Sequence, residues 1–409
     1  MKQWSIEGVT ILAPEEKFKK GNISIKDDKI EEVSRNKVNS SFSLTIEDAV
    51  CVPGLINGHD HLLGTYYPKV GNGPYENWLP WDNDLKSAPV YQERQQIENR
   101  DLYLLGAYRN LLSGVTTVSD HIPHFVAEPY YDILPMKAIQ GYSLAHSIAS
   151  FALAWGGEIA DEYALAEEND AAFITHIAEG FDAETVRDLE TLERKGGLGP
   201  HSVLVHGIAF SPEDMDKIKA ADATVIWCCD SNVFMFEQTT NIQMLLDKRI
   251  NVCIGTDSPM SGGLHLLHEM KFDRDYYSEQ YGEELGDGTI LKMVTSNPAR
   301  AFKLHDRGRI EEGLTADLTV FRRKEEDNAT SVVSADLEDV LLVVIDGKPV
   351  YGLAEYSDLF DELGVEYQPI RLKGEDRIII GDLTGLLRRI SRAVGFKKEF
   401  PFMPVEFDF

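Results

Sequence analysis

Several short apolar runs in this chain end on a residue type that ligates metal ions. Residues 51–56 lead into Asn57-Gly58-His59-Asp60-His61, residues 172–175 into His176, residues 202–205 into His206, and residues 251–255 into Thr256-Asp257. Side chains two apart on extended backbone point the same way, so His59 and His61 can reach one cation. Imidazoles with a carboxylate suit a divalent ion that keeps a position open for water. Such an ion lowers the pKa of its water to about 7, supplying a nucleophile at neutral pH. No lysine stands at the end of a central run, which argues against a carbamate-bridged metal pair.

These residues lie far apart in sequence and meet only if the runs are parallel strands of one sheet. Residues 202–205, 224–228 and 251–255 are apolar without alternation, as expected of strands buried on both faces. Helices separate them. Ser211-Pro212-Glu213-Asp214 is a helix start, with a serine cap, proline at the first position and acids in the first turn. Residues 182–195, closed by Gly196-Gly197, and residues 242–248 read as further helices. Repeated β-α-β units predict an α/β fold, a (β/α)8-type barrel with its active site at the C-terminal ends of the strands. Strands are expected at 49–56, 115–119, 141–145, 172–175, 202–205, 224–228 and 251–255. One strand is then missing, so either the interval 148–171 hides it or the barrel is distorted.

The ends of the chain have a different texture. Residues 23–25 and 30–33, with the turn Lys26-Asp27-Asp28-Lys29 between them, read as a hairpin. Residues 316–321 and 341–345, then Asp346-Gly347-Lys348, read as strand, strand and turn. The division expected is a small composite β-sandwich domain from 1–52 and 310–409, around a catalytic barrel at 53–309. Within the tail from 352 on, residues 386–398 are amphipathic and basic, but no element is assigned there.

Composition narrows the partners. The 409 residues are 43% hydrophobic and 26% charged, enough apolar content for a packed core. A net charge of −28 repels phosphate backbones and anionic lipid, so neither nucleic acid nor membrane is expected. No unbroken apolar stretch has the length of a membrane span, and charges appear too early for a secretory signal. Cys51, Cys228, Cys229 and Cys253 form no Cys-x-x-Cys pair, which suits a reducing cytoplasm.

A family resemblance joins these features. Val52-Pro53-Gly54-Leu55-Ile56-Asn57-Gly58-His59-Asp60-His61 resembles the opening signature of the amidohydrolase superfamily. Thr175-His176-Ile177-Ala178-Glu179-Gly180 is similar to the His-x-x-Glu of its mononuclear branch of cytosine and guanine deaminases, adenosylhomocysteine deaminases and triazine hydrolases. Gly255-Thr256-Asp257-Ser258 resembles the eighth-strand motif, and Asp230-Ser231-Asn232 stands where the branch has a Pro-x-Ser-Asn turn, here without the proline. The resemblance implies that His59, His61, His176 and Asp257 bind one divalent metal, zinc or iron. It also implies that Asp257 takes the proton of the water, that Glu179 carries protons to the substrate, and that His206 contacts water or substrate. The activity implied is hydrolytic deamination of an aminated heterocycle of purine, pyrimidine, pterin or triazine type. The same site would serve for hydrolysis of a ring amide or displacement of another group, and a non-catalytic member is a third reading. A nucleic-acid deaminase is disfavoured, because its His-x-Glu with Pro-Cys-x-x-Cys is missing.

Substrate contacts are expected from four residues. Trp78 and Trp81 belong to an aromatic loop with Tyr66, Tyr67 and Tyr75, whose ring faces suit a flat heterocycle. His121 follows a strand, and Asn232 closes the turn after another. The partner expected is a small-molecule substrate, with a homo-oligomer compatible with the exposed faces of such a fold.

Overall fold

Gly54 divides what the sequence presents as one strand. The computed structural model describes residues 3–409. Ala49–Pro53 pairs antiparallel with Leu318–Arg322, whereas Leu55–Asp60 pairs in parallel with Val115–Asp120. Between them the chain passes so close to Thr116 that a Cβ on Gly54 would lie 2.3 Å from its hydroxyl oxygen. The expected strand at 49–56 is therefore two strands in two sheets.

The first sheet joins the two ends of the chain. Gln3–Leu12, Phe18–Lys26, Lys29–Ser34, Phe42–Thr45 and Ala49–Pro53 hydrogen-bond into one ten-stranded sheet with Leu318–Arg322, Val340–Ile345, Lys348–Leu353, Gln368–Leu372 and Glu375–Ile379. Its own core packs Trp4, Ile6, Ile23 and Ile25 against Leu318, Val320, Leu342 and Phe360.

The second assembly is the barrel. Its strands, in chain order, are β1 (Leu55–Asp60), β2 (Val115–Asp120), β3 (Lys137–Ala138), β4 (Ser143–Ser147), β5 (Phe173–Ile177), β6 (Ser202–His206), β7 (Thr224–Trp227) and β8 (Asn251–Ile254). They form two arcs of parallel strands, β1 to β3 and β4 to β8. The arcs meet where Asp60 bridges Asp257 in parallel. No ladder pairing among the described residues joins β3 to β4, so the barrel is distorted there.

The strand sought at 148–171 lies elsewhere. That interval forms a loop and the helix Ile159–Glu168, and the additional strand is β3. Two residues carry neither alternation nor an apolar run, so nothing local marks them. Lys137 is held instead by Asp317 and Asp346, at 2.9 and 2.5 Å. The helix start at Ser211 does form, with a capping box to Asp214.

The tail folds back onto the barrel. Helix Leu383–Val394 buries Leu383, Leu386, Leu387 and Ile390, each contributing roughly 1.5–3 kcal/mol. Arg389 pairs with Asp101 of helix Asn99–Leu112 at 3.0 Å. No helix among the described residues is long and apolar enough to cross a membrane.

A buried polar network backs the meeting of β1 and β8. Asp60 accepts from Asn110 Nδ2 at 2.7 Å and from Arg109, while Asn57 Nδ2 donates to Thr256 Oγ1 at 2.8 Å. Asp60 and Arg109 are both 0% exposed, so each depends on the other for charge compensation. Arg109→Met should cost about 3–5 kcal/mol in urea unfolding, because it strands a buried carboxylate. A loss below about 1 kcal/mol would mean the network does not support this junction.

Candidate metal centre

The backbone prepares the site before any side chain is considered. Gly255 runs against β1, where a Cβ would lie 2.7 Å from His59 Cβ. Two residues on, Asp257 turns with φ 55°, its amide donating to His59 O at 3.0 Å and its carbonyl accepting from His61 N at 2.8 Å. His206, at the end of β6, has φ 74° and Ala178, just past β5, has φ 50°. Non-glycine residues in this region cost of order 1–3 kcal/mol each, and here all three stand at strand C-termini facing the same cleft.

The side chains then converge. Ligand nitrogens of His59, His61 and His176 lie within 4.8 Å of one another. His59 Nε2 is 3.3 Å from His176 Nε2, and Asp257 Oδ1 is 3.5 Å from His61 Nε2 and 3.8 Å from His59 Nε2. Neighbours assign the free lone pairs. His176 Nδ1 lies 2.6 Å from the carbonyl oxygen of His146, which can only accept, so the proton sits on Nδ1 and Nε2 is bare. Asp257 Oδ2 accepts from Ser231 Oγ and Ser261 Oγ, both at 2.6 Å, leaving Oδ1 toward the imidazoles. Burial, then the neighbouring imidazoles, hold His59 and His176 well below the usual histidine range. Neutral imidazoles are the ligating form, so this donor set fits one divalent cation.

Two further groups face the same space. Glu179 Oε1 is 3.6 Å from His206 Nε2. Burial first, then the Asp257 and Asp188 carboxylates, push the Glu179 carboxyl well above its ordinary range. His206 Nδ1 donates to Asn232 Oδ1 at 2.8 Å, which leaves Nε2 as an acceptor. A cavity of about 480 Å³ opens above them, lined by Tyr67, Trp78, Trp81, Tyr91, His146 and Trp155 among others. The His146 ring lies between Trp78 and Trp155, at 4.8 and 4.6 Å between centroids.

Trp78 and Trp81 thus line the cavity, but His121 and Asn232 do not. His121 is fully buried behind His176, 4.5 Å between ring centroids, and its Nε2 bonds the Ala145 carbonyl at 3.1 Å. Asn232 is spent on His206 and on Thr239, to which its Nδ2 donates at 3.0 Å. Both are corrected from substrate contacts to supports of the centre. Sequence reasoning missed Ser231, Ser261, Trp155 and the network of Asn57, Asp60, Arg109 and Asn110. A signal for Arg109 existed, since it interrupts the apolar helix segment Leu-Leu-Gly-Ala-Tyr-Arg-Asn-Leu-Leu. Ser231 also had one, standing in the Asp230-Ser231-Asn232 motif, whereas Ser261 had none.

The sequence model of the Amidohydrolase family matches residues 160–350. Over that segment the chain is similar to the family. The matched segment contains His176, Glu179, His206 and Asp257, while His59 and His61 precede it. Among its relatives is a protein named 5-methylthioadenosine/S-adenosylhomocysteine deaminase from Pyrococcus furiosus, 24% identical over 374 residues, covering 76% of this chain and 84% of that one. Its fold matches atrazine chlorohydrolase from Arthrobacter aurescens, solved with zinc, with a TM-score of 0.77 at 17% identity over 96% of this chain and 100% of that one. An adenosine deaminase from Xanthomonas campestris with bound zinc gives a TM-score of 0.77 at 18% identity, covering 96% and 98%.

Near the centre, Asp120 is buried with one oxygen on the Leu62 amide at 3.0 Å. Burial raises its pKa from 3.8 to about 7, against the Leu62 hydrogen bond. The folded chain therefore holds this proton longer than the unfolded one. Its stabilising contribution is complete below the unfolded value and is lost as pH rises through about 7. Asp120→Asn should flatten that decline, which amounts to roughly 4 kcal/mol, in urea unfolding of metal-free protein between pH 4 and 8. Parallel stability curves for the two proteins would refute the assignment.

Proposed function

We propose that this chain is an amidohydrolase, a hydrolytic deaminase of an aminated heterocycle, with zinc held by His59, His61, His176 and Asp257. The observation that carries the reading is the buried, proton-retaining Glu179 set 3.6 Å from His206 at the mouth of the imidazole cluster. Hydrolysis of a carbon–nitrogen bond needs an acid for nitrogen and an acceptor for the proton of water, and this pair of environments separates the two roles. A divalent ion at the four ligands supplies a polarised water of lowered pKa.

The chain's own groups do the rest. Asp257 Oδ1, free of its two serine donors, accepts a proton from water at the centre. His206 Nε2, fixed as an acceptor by Asn232, receives the water's second hydrogen bond and orients its oxygen toward the ring carbon. This differs from a role in holding an oxyanion, which needs a proton on Nε2. Glu179 gives its proton to the ring nitrogen as the carbon accepts oxygen. Recharged by Asp257 with the proton released by water, Glu179 protonates the amine, which leaves as ammonia, and the proton of the new hydroxyl returns to Glu179 as the carbonyl forms. Trp78 and Trp155 flank His146 on the cavity wall and offer ring faces for a flat base.

The names of the relatives, deaminases of 5-methylthioadenosine, S-adenosylhomocysteine and adenosine, favour a purine nucleoside as substrate. A cavity of about 480 Å³ has room for one. The likeness to atrazine chlorohydrolase supports a second reading, displacement of another group from a triazine ring by the same machinery.

Zinc-loaded protein offered adenosine-type purines, pyrimidines, pterins and triazines should release ammonia from at least one of them. His59→Ala and Glu179→Gln should each lower that rate by about 10²–10⁴-fold. Ring product without ammonia would replace deamination by the second reading. Asn232→Ala should lower kcat about 10–100-fold while bound zinc stays constant. Loss of zinc together with kcat would show that Asn232 acts on the ligands rather than through His206.

A further inference from the structure

Asp230-Ser231-Asn232, expected as a turn, instead opens the helix Cys229–Phe236, and a second group of ligand-type side chains lies beside it. Asp230 follows β7, and His268, Glu269 and Asp273 come from the helix Leu266–Tyr281. Ligand atoms of Asp230, His268 and Glu269 lie within 4.8 Å of one another. Glu269 and Asp273 are 0% exposed, and Asp230 is 4% exposed.

These groups are poorly compensated by protein. Glu269 Oε1 accepts from Asp230 N at 3.0 Å, but Oε2 has no partner. His268 Nδ1 has none either, and it stands 3.9 Å from Asp230 Oδ2. Neither oxygen of Asp273, one helical turn beyond Glu269, is hydrogen-bonded. Lys69 pairs with Asp230 Oδ1 at 2.5 Å. Gly263 leaves room for the open side of Glu269, since a Cβ there would lie 2.2 Å from Oε2. A cleft of about 410 Å³, lined by Lys69, Asp230, His268 and Phe400 among others, leads from solvent to the group.

We propose that Asp230, His268 and Glu269 form a second divalent-cation site, separate from the catalytic centre. One imidazole and two carboxylates suit an ion of the zinc or manganese type, with Asp273 compensating charge from behind. The site has a structural consequence because this helix start is shared. Asp230 binds the second ion, Ser231 donates to Asp257, and Asn232 holds His206. Anchoring Asp230 therefore fixes the two residues that support the catalytic side chains.

The test is zinc stoichiometry of the full chain, stripped with chelator, dialysed against Zn²⁺ alone and measured by inductively coupled plasma mass spectrometry. Wild type should bind two equivalents. His59→Ala/His61→Ala and His268→Ala/Glu269→Gln should bind one each, with circular dichroism confirming the fold. The milder His268→Ala, at a side chain 37% exposed, should weaken the second equivalent at least tenfold in competition dialysis. One wild-type equivalent that survives His59→Ala/His61→Ala but not His268→Ala/Glu269→Gln would support this site and remove the catalytic one. A single equivalent lost with His59 and His61 would overturn the proposal, as would two equivalents insensitive to His268 and Glu269, or no bound zinc.

Discussion

The union of β1 with the chain beyond β8 is the constraint on which the centre depends. Asp257 N donates to His59 O at 3.0 Å and Asp257 O accepts from His61 N at 2.8 Å, so the carboxylate and two imidazoles are tied through main chain. Main-chain bonds of this kind admit no rotamer freedom, and the left-handed turn at Asp257 exists to make both. Behind them Asn57, Asp60, Arg109 and Asn110 fill the space with a charged network sealed from water. Continuous packing behind a site keeps its geometry within the tolerance chemistry requires.

Burial has opposite effects on the two kinds of group in the cleft. It keeps imidazoles neutral and ready to ligate, and it keeps the Glu179 carboxyl protonated. One low-dielectric environment therefore yields a ligand set and an acid together. The charge of the Asp257 carboxylate reinforces the second effect, since it stands near Glu179. Support is distributed across the fold. Ser231 at a helix start and Ser261 in a loop hold the far oxygen of Asp257, a backbone carbonyl orients His176, and an amide side chain orients His206.

Much of the fold is legible because barrel strands carry local signatures. β5, β6, β7 and β8 are buried on both faces, so their apolar runs stand out between helices with capped starts such as Ser211. β3 is invisible by the same criterion, being two residues held in place by neighbours and by a lysine reaching Asp317. The break at Gly54 is also hidden, since residues on both sides are apolar and only the nearness of Thr116 demands the glycine. The tail helix showed its amphipathic face, but its partner, helix Asn99–Leu112, lies far away in sequence.

The sequence by itself determined that His59, His61, His176, His206 and Asp257 stand at strand ends. Parallel strands then bring those ends to one face, and this follows from local pattern and chain geometry. Only the tertiary structure decided which ring nitrogen carries each proton, that Asn232 and His121 support the centre rather than meet a substrate, and that Ser231 and Ser261 share one oxygen of Asp257. These are matters of hydrogen-bond partners from distant segments, and a donor's partner has no counterpart in local periodicity. Burial is decided in the same way. The sequence places Glu179 in its motif, but its burial is set only when the surrounding elements close over it and withhold the water that would ionise it.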